Sequence, residues 1–188
     1  MSLIIIVILS GCARHALYTY RTTMQPATIA DSLFYENDSI QIKFSLEPKY
    51  IAFHLYNKLN DGILLKWDEI SISIKEKTYK VIHTETGSFK INRLQMTSIP
   101  PHSYLDDVLI PIDGSDNYSV EYNSITYAPD IFPNYIFNNE KNEERIKYLP
   151  GAYVIIYMPL YIGNKYTSRP FSIRINAIEP PKRFSRKN

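Results

Sequence analysis

Eight residues, Ser39 to Leu46, set the terms on which this chain can fold. Ile40, Ile42, Phe44 and Leu46 alternate with Ser39, Gln41, Lys43 and Ser45. A period of two sends one set to each face of an extended strand, so one face is covered and the other is wet. A helix would scatter the same apolar residues around its axis. The pattern then recurs. After a Glu47-Pro48-Lys49 turn, Tyr50 to Lys58 directs Ile51, Phe53 and Leu55 inward. Asn60-Asp61-Gly62 is a strong turn signal, and Ile63 to Trp67 is a third apolar run. Ile70, Ile72 and Ile74 alternate with Ser71, Ser73 and Lys75, and Glu76-Lys77 leads into Tyr79 to Thr84 as a hairpin partner.

The second half keeps the rhythm with one break. Leu94 to Ile99 is a short strand stopped by Pro100-Pro101. Tyr104 to Ile112 places Val108, Ile110 and Ile112 on one face, and its Pro111 predicts an edge position. Tyr118, Val120 and Tyr122 share a face of the next strand. Residues 138–149 predict one short helix, capped by Asn138 or Asn139 with Glu140 in its first turn. Gly151 to Ile162 is apolar on both faces, which predicts a central strand covered twice, with Pro159 at a bulge or near its end. Gly163-Asn164 predicts a hairpin, and Tyr166 to Ile178 closes the domain with Phe171, Ile173 and Ile175 inward. Sixteen Tyr and eight Phe suit strands. The pattern predicts an all-β fold over 39–179: an antiparallel β-sandwich, immunoglobulin-like, with one short helix. Trp67 closes an apolar run and is expected to anchor the core.

The first twelve residues are of another kind. Leu3 to Leu9 is unbroken and apolar, followed at once by Ser10-Gly11-Cys12. The run is too short to span a bilayer, which takes roughly 20 residues, and has the length of a signal-peptide core. Leu9-Ser10-Gly11-Cys12 resembles the lipobox of bacterial lipoproteins. Cys12 is the only cysteine in the chain. No Lys or Arg precedes the run, which departs from the usual basic start of such peptides. The resemblance implies that 1–11 is a removed signal peptide and that Cys12 bears the lipid. It implies a diacylglyceryl anchor, with palmitate-type chains holding the protein firmly. Ala13 stands where an Asp would favour the inner membrane, and Arg14-His15 is not an acidic export cluster. The implied place is therefore the outer membrane, facing the periplasm. Residues 12–38 are expected to be a tether that partly docks, with Tyr18 and Tyr20 as the alternative start of an edge strand, and 180–188 a basic tail. Ala52 to Ile74 is also loosely similar to the sandwich modules of small envelope lipoproteins.

Little in the chain points to chemistry. A net charge of +2 gives no argument for nucleic acid. His15, His54, His83 and His102 show no metal-ligand spacing. Ser103, His102 and Asp106 or Asp107 supply the residue types of a relay, but neighbours on a strand point to opposite faces. There is no nucleophile elbow, and the six glycines are scattered. No catalytic, metal or cofactor-binding residue is expected. The one unusual abundance is tyrosine: Tyr118, Tyr122, Tyr127, Tyr135, Tyr148, Tyr153, Tyr157, Tyr161 and Tyr166 fall in the second half. Such side chains suit interfaces. They are equally the ordinary residues of strands. The expectation is a non-enzymatic, lipid-anchored envelope protein that binds or scaffolds a protein partner. The alternative is a glycan-binding or glycan-hydrolysing surface lipoprotein, whose aromatics would stack on sugar rings. Converging carboxylates in a cleft would favour the second, and an open Tyr-bearing sheet face the first. Lys182, Arg183, Arg186 and Lys187 make the tail the basic part of the molecule, suited to an anionic membrane or an acidic partner.

Overall fold

The structure is a computed structural model that describes residues 19–29, 32–47, 49–74, 76–85, 91–92, 96–112, 120–121, 124–125, 148–163, 165–168 and 170–179. The described residues are almost wholly antiparallel β. The strands are β1 (Thr19–Gln25), β2 (Phe34–Glu36), β3 (Ile40–Leu46), β4 (Ile51–Asn57), β5 (Ile63–Lys66), β6 (Ser71–Ile74), β7 (Lys77–Glu85) and β8 (Ile91–Asn92). They continue as β9 (Met96–Ile99), β10 (Tyr104–Ile112), β11 (Val120–Glu121), β12 (Ser124–Ile125), β13 (Tyr153–Tyr157), β14 (Leu160–Ile162), β15 (Lys165–Thr167) and β16 (Pro170–Glu179). A 3-10 turn, Trp67–Glu69, joins β5 to β6.

Nine strands form one sheet in the order β1-β16-β13-β6-β7-β10-β4-β3-β2, with β8 alongside β7. The sheet rolls until its two edges nearly meet. At the seam the Thr28 amide donates to the Phe34 carbonyl at 3.0 Å, and the Thr28 hydroxyl bonds both the amide and the carbonyl of Glu36. Roll-up hides edges that would otherwise recruit other chains. Inside, Phe171 of β16 meets Tyr35 of β2 and Phe44 of β3, with ring centroids 5.6 and 5.1 Å apart.

A second sheet, β15-β14-β5-β9, is made entirely from connections of the first. β5 lies between β4 and β6 in the chain, β9 between β7 and β10, and the β14–β15 hairpin between β13 and β16. The strand register puts all three connections at one end of the roll. This lid turns Ile63, Leu65, Ile99 and Leu160 into the same core as Ile42, Leu55, Ile72 and Ile173. Asn57 fastens lid to roll. Fully buried, its side-chain amide donates to the carbonyls of Asp61, Ile99 and Pro100, and its oxygen accepts from the Leu59 amide. Thr19 pairs with Glu179, so the domain's first and last strands begin and end together, at the end opposite the lid.

Several expectations need correction. Residues 12–38 do not form a tether throughout: from 19 onward they supply β1, the partner of β16, and β2, the partner of β3. The run of Thr22, Thr23 and Gln25 hides the strand because only Met24 on it is buried. β10 is interior, not an edge. Pro111 is tolerated because it lies past Leu109, the last residue paired with β4. The core face of β10 carries Asp107 and Leu109, while Val108 and Ile110 join Tyr50 and Ile82 in a small cluster on the other face. Pro159 marks the crossing of the chain from the large sheet to the lid. Cys12 with the segment 1–11, the tail 180–188, and the expected helix at 138–149 apart from Tyr148 and Leu149 lie outside the described residues.

Candidate interaction surface

The surface begins with β13. Its inward residues, Val154 and Ile156, are fully buried. Its outward residues are Tyr153, Ile155 and Tyr157, and they remain 48%, 38% and 38% exposed. Both faces are apolar, as in a twice-covered strand, yet nothing among the described residues covers the outer one. The flanking outward positions are small: Ser73 and Ser71 on β6 and Ser172 on β16 sit opposite Ile155 or Tyr157. The row therefore stands proud of its neighbours. Arg174 borders it, its guanidinium 6.0 Å from the Tyr153 ring centre.

The row continues onto the lid. The Tyr157 and Tyr166 hydroxyls are 3.2 Å apart, and Tyr166 is 51% exposed. Tyr166 pairs with Tyr161 across the β14–β15 hairpin, so both rings stand on the same face, edge to face at 5.2 Å. The Tyr161 hydroxyl donates to the Glu69 carboxylate. The Lys66 ammonium lies 3.1 Å from that carboxylate and 4.1 Å above the Tyr161 ring. These contacts set the protonation of the cluster. The bond from Tyr161, with Lys66 in support, holds Glu69 below the usual carboxylate range. The same bond to Glu69 pushes the Tyr161 phenol up, as does its partial burial. Hydrogen bonds with Ser168 and Tyr166 pull the Tyr157 phenol down. The surface offers the phenols of Tyr153, Tyr157, Tyr161 and Tyr166, the side chain of Ile155 and the Lys66–Glu69 pair. Tyrosine and arginine at the centre of an apolar patch are the composition of binding hot spots.

Of the nine tyrosines expected to matter, Tyr153, Tyr157, Tyr161 and Tyr166 are brought together here. Tyr148 is exposed, and Tyr118, Tyr122, Tyr127 and Tyr135 lie outside the described residues. Ser103 and His102 do not join Asp106 or Asp107. The Ser103 hydroxyl donates to the Pro101 carbonyl, and His102 Nε2 is 2.9 Å from Asn60 Oδ1. The two aspartates instead take two other histidines, on opposite faces of β10. Asp106 turns outward to His54 at 2.6 Å, and Asp107 turns inward to the buried His83 at 3.1 Å. Sequence reasoning missed both pairs. The signal was present: adjacent carboxylates on an alternating strand must put one inside, and a buried carboxylate needs a partner. Among the described residues no three His, Cys, Asp or Glu side chains come close enough together to hold a metal ion.

No family model matches the chain, and no curated protein or solved structure matches it significantly.

Proposed function

We propose that this chain is a lipid-anchored envelope lipoprotein whose β-domain is a non-enzymatic binding or scaffolding module, with the β13 surface as the contact for a protein partner. The observation that carries the reading is the outer face of β13, which none of the described residues covers. An isoleucine and two tyrosines in line, cleared of tall neighbours, cost solubility unless a partner covers them. The Tyr-bearing face spans two sheets; its Glu69 carboxylate is engaged by Tyr161 and Lys66, and Glu76 lines a recess beside Tyr153 and Ile155. A glycan-hydrolysing site would need a second carboxylate facing it across a cleft.

The finer architecture is a sandwich, the rolled sheet pressing two inner faces together in the immunoglobulin-like manner. Its support is the packing of Phe171 on Tyr35 and Phe44, from strands that are not sheet neighbours.

The anchor fits this geometry. Cys12 lies seven residues before Thr19, a reach of at most about 25 Å for an extended chain. With its lipid in the outer membrane, the end bearing Thr19 and Glu179 faces the bilayer and the lid faces the periplasm. The basic tail leaves from the membrane end too, where each Lys or Arg near anionic lipid contributes about 1 kcal/mol.

Two experiments test this. Labelling with an alkyne fatty acid should tag the wild type and spare Cys12→Ser, which should leave the membrane fraction. A photo-cross-linking residue at Tyr157 should give one discrete protein adduct in native envelopes, lost on Ile155→Asp, while the same probe at Lys43 gives none. Label retained by Cys12→Ser removes the anchor. Equal adducts at Tyr157 and Lys43, or none at either, remove the surface.

A further inference from the structure

A cavity of about 480 Å³ opens where the seam of the rolled sheet meets the free edge of the lid. Sites for small organic ligands commonly hold roughly 300–1,000 Å³. Its floor is apolar and already buried: Ile40, Met158, Leu160 and Phe171 are each at most 5% exposed. Its polar groups stand at the rim, on the β2–β3 turn and on β15. Of these, Asn37 Oδ1 is committed to the amides of Ser39 and Ile40. Among the described residues Lys165 is the only charged one in the lining. It pairs with Ile162 across the hairpin, so it stands on the cavity side of β15. It makes no ion pair among the described residues. Two acids stand near the rim: Glu36 at the end of β2, whose carboxylate Lys58 and Gln41 hold, and the exposed Asp38 on the β2–β3 turn, which is not part of the lining. Among the described residues the cavity is therefore greasy within, with Lys165 as the one charge in its lining.

We propose that this cavity binds a single-chain amphiphile with an anionic head, its chain on Phe171, Met158 and Leu160 and its head on Lys165. A carboxylate and a phosphate monoester head share this chemistry. The site adjoins the β13 surface, since Tyr166 borders both, but its floor of Ile40, Met158, Leu160 and Phe171 belongs to the core and not to the outer row. It stands or falls without the partner reading.

The test uses the full chain carrying Cys12→Ser, titrated calorimetrically with dodecanoate, dodecyl phosphate and dodecyltrimethylammonium below their micelle concentrations. The expected result is one saturable site for both anions, about tenfold or more tighter than for the cation. Comparison of the two anions ranks the head groups. Lys165→Glu should reverse the charge preference, and Thr167→Trp, exposed at the rim, should block all three ligands while leaving the melting curve in place. Absence of saturable anion binding overturns the proposal. So does equal binding of anion and cation, or binding that both variants leave unchanged, since the amphiphile would then be adhering to another surface.

Discussion

The core around Trp67 and the outer face of β13 are built from similar residues and end in opposite states. Trp67 is buried, stacked on His83 at 3.6 Å with the rings 3° from parallel, tilted against Phe53, and its indole N–H donates to the Thr97 hydroxyl at 2.8 Å. Every part of the ring has a partner. Tyr153, Ile155 and Tyr157 have apolar area of the same order and leave much of it in water. The aromatic that is covered holds the fold. The aromatics that are uncovered contribute little to it and stay available for binding, because stabilisation follows the area removed from water and not the area present.

The largest expected effect tests the covered side. Trp67→Ala removes a buried ring and strands the Thr97 hydroxyl, at a cost of about 3–5 kcal/mol. That is a large share of a domain's net 5–15 kcal/mol, roughly. Urea unfolding should show a much lower midpoint or no folded baseline. Ile155→Ala and Tyr157→Ala should stay within about 0.5 kcal/mol of wild type. Equal losses at Trp67 and on β13 would show that the outer row is structural and would end the contrast.

β10 repeats the contrast one residue apart. Asp107 and His83 are both buried, whereas Asp106 and His54 each keep nearly half their side chain in water, with His54 stacked on Tyr104 at 5.2 Å. Removing His83 takes a partner from a buried carboxylate, so His83→Ala should cost roughly 3 kcal/mol. Breaking the exposed pair with Asp106→Ala should cost less than about 1 kcal/mol. Chemical denaturation of both variants decides it. Similar small losses would mean that water reaches the inner pair.

Much of this was legible because local patterning was strong. The inward residues of β3, β4, β6 and β16 follow from period two alone, and Gly163-Asn164 places the β14–β15 hairpin. What was illegible depends on which strands become neighbours. β1 shows only Tyr20 and Met24 against the core, too sparse a pattern to outweigh its run of Thr and Gln, and it is held along its length by pairing with β16. Pro111 signals an edge, and local pairing length, not sheet position, explains it. The double apolar face of β13 was visible, but a sequence does not say whether the second face is covered by its own chain or left for another. The cavity was invisible for the same reason, since Lys165, Phe171 and Ile40 meet only when the lid closes on the seam.

The smallest expected effect concerns acid. Glu36 sits at the seam, held below the ordinary carboxylate value first by its bond from Lys58 and then by Gln41. Glu69 sits in the tyrosine surface, held below it first by Tyr161 and then by Lys66. For a carboxyl whose folded pKa is depressed, the unfolded chain binds protons first as pH falls. The stabilisation is complete above the unfolded value, about 4.3, and disappears as pH drops through the lower folded value. Both pairs are solvent-exposed, so the loss is small and salt-sensitive. Thermal melts from pH 6 to 3 should show wild type falling slightly more steeply than Glu36→Gln/Glu69→Gln, with the difference shrinking in high salt. The single variants then divide the two regions. Glu36→Gln should lower the melting point alone, because the seam belongs to the fold. Glu69→Gln should leave melting almost unmoved and weaken the cross-link from Tyr157, because it frees Tyr161 within the proposed contact surface. If Glu69→Gln instead lowers the melting point and leaves the cross-link intact, the lid cluster is part of the scaffold and the contact is confined to β13.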